Sequence, residues 1–396
     1  MNPSTHRITI LSLGQSLCSG VANVIHQCIP PIAKTAFNAS IAGYIMSMCH
    51  AITVVTAPLA AYVTHRIGII NTMRLYCWWF SLGAIIWLLA KDPLRSLIPM
   101  CIAIYTGHGF KMLEAYVTHT STKQAGWKLF GIFQAIAGVG IFWATILYPL
   151  IKNDVYPLVP LLTIGAMIIL FCLTFLVPND NLHKQEIEQK PINQIYSAMI
   201  ETLQKGRHFV KVNNYYPIFY IWYSFFRGFV YTALLFLIPL HLMDVKSGNF
   251  IDGLPIGIYE LLVIFFGGIC GYFADKLDWK KYNILGWTLI VIGFLCMIWW
   301  NDTTGLIVLG FVAGMGRNIM YSASTHILEA KDIDHKEDTD FTALERSVLK
   351  LGSVIAPLIL GPVYQYGGFQ LGIIVLSVLM AGVWITMIYQ TIVFKR

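Results

Sequence analysis

Eight charged side chains interrupt stretches that are otherwise apolar: Lys111, Arg227, Arg317, Arg346 and Lys350, with Glu114, Glu260 and Glu345. An ionised group at bilayer depth costs about 3 kcal/mol or more unless it faces a cavity or a partner, so each marks a candidate working site. Arg227 and Arg317 lie near the middle of their apolar runs. A guanidinium there can hold a carboxylate or phosphate through two parallel hydrogen bonds, which favours an anionic or zwitterionic solute. The structural alternative for these arginines is an ion pair with Glu260 or Glu114. His26 and Gln134, together with Asn23, Gln27 and His50, offer neutral hydrogen bonds to the same solute. Tyr231 belongs to an aromatic set with Trp222, Tyr223 and Phe226 that can wall a cavity or simply pack.

The acids suggest a second chemistry. His108, Lys111 and Glu114 recur at i, i+3 and i+6 and so share one helix face. Glu114 is caught between burial, which favours the neutral acid, and Lys111, which favours the anion; such a carboxyl can exchange a proton according to which side it faces. Mutual neutralisation of Lys111 and Glu114 is the plain alternative. Glu260 is the second proton-coupling candidate. Thr342-Ala-Leu-Glu345 fits a capping box at the start of a helix, while Arg346 and Lys350, one turn apart, suit either snorkelling or gating.

The elements that must position these residues are membrane helices. Apolar residues make up 57% of the 396-residue chain and charged ones only 12%, about half the charged share of a soluble domain. Apolar runs of spanning length can be placed twelve times, six in each half, which predicts an all-α integral membrane protein. The runs are continuous and do not alternate, so a β-barrel is disfavoured. With the N-terminus inside, seventeen lysines and arginines fall on cytoplasmic segments and five on the opposite loops, which places both termini in the cytoplasm. This bias accounts for the net charge of +7 without a nucleic-acid partner. The predicted organisation is a six-helix half over 1–177, a cytoplasmic linker with an amphipathic helix over 178–214, and a second six-helix half over 215–396. No cleavable signal peptide is evident. The eight cysteines fall within spans without a CxxC and read as buried, inert thiols. An acidic stretch from Glu329 to Asp340 reads as a solvated loop, since it lacks the Gly turn of a calcium site.

The halves also echo each other. Ala57 to Gly68 returns 210 residues later as Gly267 to Asp278, and a stretch from Ile102 returns 207 later from Leu309, aligning Gly107 with Gly314 and His119 with His326. Two echoes at nearly one offset indicate duplication. The second copy of the turn reads Gly271-Tyr-Phe-Ala-Asp275-Lys276-Leu-Asp278, followed by Lys280 and Lys281; the first reads Ala61-Tyr-Val-Thr-His65-Arg66-Ile-Gly68. Together with the twelve spans and central loop, this turn resembles the signature of the major facilitator superfamily. The resemblance implies two six-helix halves rocking about a central site. It also implies a gate in which an acid at one helix end meets the positive start of a helix in the other half. Asp275 and Lys276 fill that pattern opposite Trp127 and Lys128. His65 and Arg66 invert it, with His65 in the acid's place and Asp338 and Asp340 opposite; Glu345 and Arg346 belong to the same mouth. The Gly-Pro signature of family antiporters is not met, because Gly138 and Gly140 are followed by no Pro until Pro149.

The resulting expectation is a secondary transporter of the plasma membrane, a bacterial inner membrane in the first instance, acting as a monomer. It would move a small anionic or zwitterionic solute and draw on the proton gradient, with no cofactor and no metal. Export of a drug, metabolite or metallophore is the alternative within transport, and a non-transporting sensor the alternative outside it. The chain has no phosphate-binding GxxxxGK[ST] loop for an ATP-driven pump, and no HExxH or GxSxG that would suggest an enzyme.

Overall fold

The computed structural model describes residues 3–90, 97–109, 138–148, 155–177, 216–245, 253–329 and 335–393, with single helical residues at 136, 200 and 204. All regular structure among them is helical. In the first half the helices are α1 (Pro3–Ala36), α2 (Ala39–Ile67), α3 (Ile69–Leu88), α4 (Leu97–Gly109), α5 (Gly138–Tyr148) and α6 (Val155–Leu173). The second half contributes α7 (Tyr216–Asp244), α8 (Leu254–Lys276), α9 (Trp279–Trp299) and α10 (Thr303–Glu329). A helical stretch from His335 to Val393 breaks at Gly368, where φ is 63° and ψ −160°. That backbone conformation is open essentially to glycine alone, and it separates α11 (335–367) from α12 (369–393). Among the described residues these twelve helical segments are consistent with the twelve predicted spans, and seven helical stretches are long and apolar enough to cross a membrane. Almost all of the linker 178–214 lies outside the described residues.

Continuous apolar sequence becomes helix here because hydrocarbon offers no partner for backbone N–H and C=O groups, which must bond within the segment. The bundle also turns large apolar side chains outward and encloses polar ones within its apolar core. Leu13, Val55, Phe265, Ile269 and Val378 are exposed on its outside, while Asn23, Gln27, His50 and Glu260 are buried within. Six of the eight cysteines are buried, but Cys172 and Cys296 are exposed on the apolar surface, so the expectation of uniform burial fails for those two.

The duplication is visible in the packing. Gly43 of α2 lies so close to the Pro357 carbonyl of α11 that any Cβ would overlap it, and Gly253, 210 residues on, meets the Thr145 carbonyl of α5 in the same way at the start of α8. The halves therefore meet through α2 with α11 and α5 with α8, with glycine admitting the opposing backbone at both crossings. Within each half, Gly140 of α5 abuts Ser16 of α1, and Gly352 of α11 abuts Phe225 of α7.

The turn that carried the sequence echo has two different forms. After α2, Gly68 takes φ 86° and ψ 160°, and its N–H caps the helix on the Thr64 carbonyl. At the equivalent place after α8, Asp278 sits at φ −59° and ψ 112°, and its carboxylate accepts from the Lys280 N–H at the start of α9. One copy needs glycine for its backbone; the other replaces it with an N-capping acid.

Two sequence expectations are corrected at the eleventh helix. It begins at His335, so Thr342 to Glu345 lie inside the helix and not at its N-terminus, and a capping box there has no helix start to cap. The stretch from His335 to Asp340 is likewise helix and not loop. Its Glu337 and Asp338 stand in the first turn, where the positive end of the helix dipole favours acids.

Candidate transport site

Arg317 of α10 and Glu260 of α8 meet in the second half. Arg317 Nη1 donates to Glu260 Oε1 at 2.5 Å, and the two side chains are only 13% and 4% exposed. The guanidinium also lies 4.8 Å from the ring centroid of Tyr259 and 5.8 Å from that of Tyr231. The two phenol rings are stacked at 6.5 Å. A charge pair removed from water needs such added partners, because its mutual attraction alone barely offsets the loss of hydration.

A chain of amides joins this pair to the first half. Asn23 Nδ2 of α1 donates to the Tyr231 hydroxyl at 3.1 Å, and Gln27 Nε2 donates to Asn23 Oδ1 at 2.9 Å and to Thr145 Oγ1 of α5 at 3.3 Å. Asn23 and Gln27 are one turn apart on α1, so one face of that helix supplies both links. Three residues past Asn23, His26 stacks on Tyr105 of α4 with centroids 5.1 Å apart, and His50 of α2 packs edge-on to both rings, at 5.6 Å from His26 and 5.2 Å from Tyr105. Both ring nitrogens of His50 and the hydroxyl of Tyr105 are buried without a hydrogen-bond partner among the described residues.

Of the residues singled out in the sequence, the structure brings together Arg317, Glu260, Tyr231 and His26. Arg227 is half-buried on α7, one turn before Tyr231. Gln134, Lys111 and Glu114 lie outside the described residues. The aromatic set divides: Tyr231 joins the polar chain, whereas Phe226 packs edge-on against Trp287 and stacks on Trp222, which is itself exposed. At the proposed gate, Arg66 and Lys276 are exposed, and the side chains of His65, Asp275, Glu345 and Arg346 lie outside the described ones. Among the described residues, no three His, Cys, Asp or Glu side chains are grouped as a metal would require.

The sequence reading missed a second junction, at the end of the bundle remote from both termini. Lys34, at the end of α1, pairs with Asp244, at the end of α7, at 2.5 Å. The Tyr364 hydroxyl of α11 donates to the other Asp244 oxygen at 2.7 Å, and Gln365 Oε1 accepts the Ala39 N–H that opens α2. Lys34 and Asp244 stand 210 residues apart, the repeat offset itself, because α1 and α7 face each other across the axis relating the halves. The signal was present, but each residue read alone was only a charge beside a loop.

A helical bundle duplicated about an axis, with a charge pair buried in its interior and apolar side chains outside, defines a polytopic membrane protein built as secondary transporters are. Residues 11–332 match the family model of the Major Facilitator Superfamily, and the chain belongs to that superfamily. Its substrate class is therefore small molecules and its setting the lipid bilayer. No curated protein matches the chain. Solved structures similar in fold include the human organic anion transporter MFSD10 (TETRAN), with a TM-score of 0.69 and 14% identity, covering 98% of this chain and 100% of that one. The xylose transporter XylE from E. coli, in a partially occluded inward open conformation, gives 0.71 at 12% identity over 99% and 98%. A POT family transporter in complex with 5-aminolevulinic acid gives 0.76 at 12% identity over 98% and 96%.

Proposed function

We propose that the chain is a proton-coupled secondary transporter of a small anionic or zwitterionic solute, working by alternating access between its two halves. The observation that carries this reading is the buried Arg317–Glu260 pair, joined through Tyr231 and Asn23 to the other half. Protonation of Glu260 removes the anion that holds Arg317. The guanidinium then takes a carboxylate or phosphate of the solute in its place, and release of the solute returns the pair. The Glu260 carboxylate and the solute anion thereby alternate at one cation, with the proton taken up as the solute binds and given up as it leaves. Arg227, one turn along α7 from Tyr231, adds a second cation toward an anionic solute. Glu114 with Lys111 remains a second candidate for the proton path, and His26 and Gln134 for solute contacts.

The Lys34–Asp244–Tyr364 junction closes the face remote from the termini in this conformation. With both termini cytoplasmic, that face is the outer one, and the gate of His65, Arg66, Asp275, Lys276, Glu345 and Arg346 works at the inner one. The two halves, 1–177 and 215–396, move about the linker 178–214. The protein acts as a monomer in the plasma membrane, requires no cofactor beyond the proton gradient, and is not an enzyme.

The test is uptake into proteoliposomes under an imposed pH gradient, screened over monocarboxylates, dicarboxylates, phosphate esters and amino acids. Gradient-driven accumulation of at least one of these supports the reading. Movement of none, under a gradient of either sign, overturns it.

A further inference from the structure

The polar atoms left over at His50 and Tyr105 are not used by the exchange at Arg317. His50 is 2% exposed and Tyr105 fully buried, yet both imidazole nitrogens and the phenol oxygen lack partners among the described residues. Burying such groups unmet is costly, and native interiors rarely leave several together. These atoms come from two helices, α2 and α4, whose rings pack against each other and against His26. The cluster adjoins the charge pair, since His26 is one turn from Asn23, which bonds the Tyr231 hydroxyl.

We propose that His50 and Tyr105 form a second subsite, which binds an uncharged hydroxyl or carboxamide at the far end of the solute whose anionic group sits at Arg317. The proposal rests on the anionic-solute reading above. A neutral imidazole presents one N–H donor and one acceptor nitrogen, and a phenol can do both. A hydroxyl or carboxamide, itself donor and acceptor, satisfies that mixed set. A carboxylate accepts only and leaves the imidazole's acceptor nitrogen facing an anion, and a methyl group leaves all three atoms unmet. The solute class is then an organic acid carrying a hydroxyl or amide on a short chain, and not a lipophilic drug.

Four probes with a common carboxylate separate the possibilities: valerate, δ-hydroxyvalerate, glutaramate and glutarate. Binding is read as inhibition of solute counterflow and as thermal stabilisation of the purified full-length protein. Wild-type protein is expected to bind δ-hydroxyvalerate and glutaramate about tenfold or more tighter than valerate. Tyr105→Phe and His50→Phe reduce that ratio toward unity. The proposal is overturned if the ratio survives both substitutions, or if valerate binds as well as the polar probes, as it would were the cluster only packed around a trapped water. Preference for glutarate also overturns it, and assigns the site to a second anion with Lys350, which is within electrostatic reach of His50. If none of the four binds, or if all four bind the Arg317→Gln, Glu260→Gln double variant as tightly as wild type, the anionic-solute reading itself fails and takes this subsite with it. Where a variant loses fold, its valerate-stabilised melting reveals this, and the remaining variant carries the test.

Discussion

The polar clusters of the two halves are neighbours with opposite chemistry. In the second half, Arg317 and Glu260 are charged, mutually paired and flanked by tyrosine rings. In the first half, His26, His50 and Tyr105 form a cluster of packed rings, with His50 and Tyr105 short of partners among the described residues. Yet the backbones match closely enough that Gly43 and Gly253, at the repeat offset, make the same close crossing into the opposite half. Duplication has kept what the fold needs and released what the site does. Close packing constrains both copies alike, because glycine is required wherever two backbones must touch. Side chains facing the interior, as the described residues show, were free to diverge.

The sharpest way to break this contrast is to remove one member of the charge pair. Arg317→Ala leaves Glu260 buried and alone, at an expected cost of about 3–5 kcal/mol, whereas Arg317→Gln with Glu260→Gln together should recover most of that loss. Thermal unfolding in detergent checks both. An equal loss in the single and double variants would show that the unpaired Glu260 charge carries no penalty of its own. In the first half, His50→Phe removes unmet polar atoms and should cost less than about 1 kcal/mol or even stabilise, the opposite sense from Arg317→Ala.

The crossings are the next test, since there the halves should behave alike. Gly43→Ala and Gly253→Ala each force a methyl against a carbonyl, and each is expected to cost about 1–3 kcal/mol. The same unfolding measurement checks it, and a large effect at only one position would break the claimed equivalence.

Smallest and most specific is the exchange of turn residues between repeats. Gly68→Asp forces a side chain into a backbone region suited to glycine and should cost about 1–2 kcal/mol. Asp278→Gly removes only an N-cap side chain and should cost a few tenths of a kcal/mol, while Asp278→Ala costs about 1 kcal/mol. Equal effects of the two exchanges would mean that the turns are interchangeable after all.

Much of this architecture can be read in the sequence, and the physics explains where reading stops. Helix number and duplication are legible because hydrocarbon demands long apolar runs and because close-packed glycines recur at one offset. Arg317 and Glu260 are legible because a charge at that depth requires a partner, though only the fold shows that they pair with each other. Tyr105 is not legible: a tyrosine in an apolar run is ordinary, and its unmet hydroxyl exists only once α2 and α4 are packed. Lys34 and Asp244 escape for a related reason, since a charge near a helix end is usually solvated and only the axis between α1 and α7 brings these two together. The expected capping box at Glu345 fails because its residue pattern occurs inside a helix whose start lies further upstream.

The central claim is that Glu260, through its hold on Arg317, couples the proton to the solute. It is tested most directly by comparing wild type and Glu260→Gln in proteoliposomes, for a solute that the wild type accumulates under an imposed pH gradient. A carboxamide at that position cannot exchange a proton, so the account predicts that gradient-driven accumulation is lost while solute exchange at equal pH on both sides persists. Full gradient-driven accumulation by Glu260→Gln would contradict it.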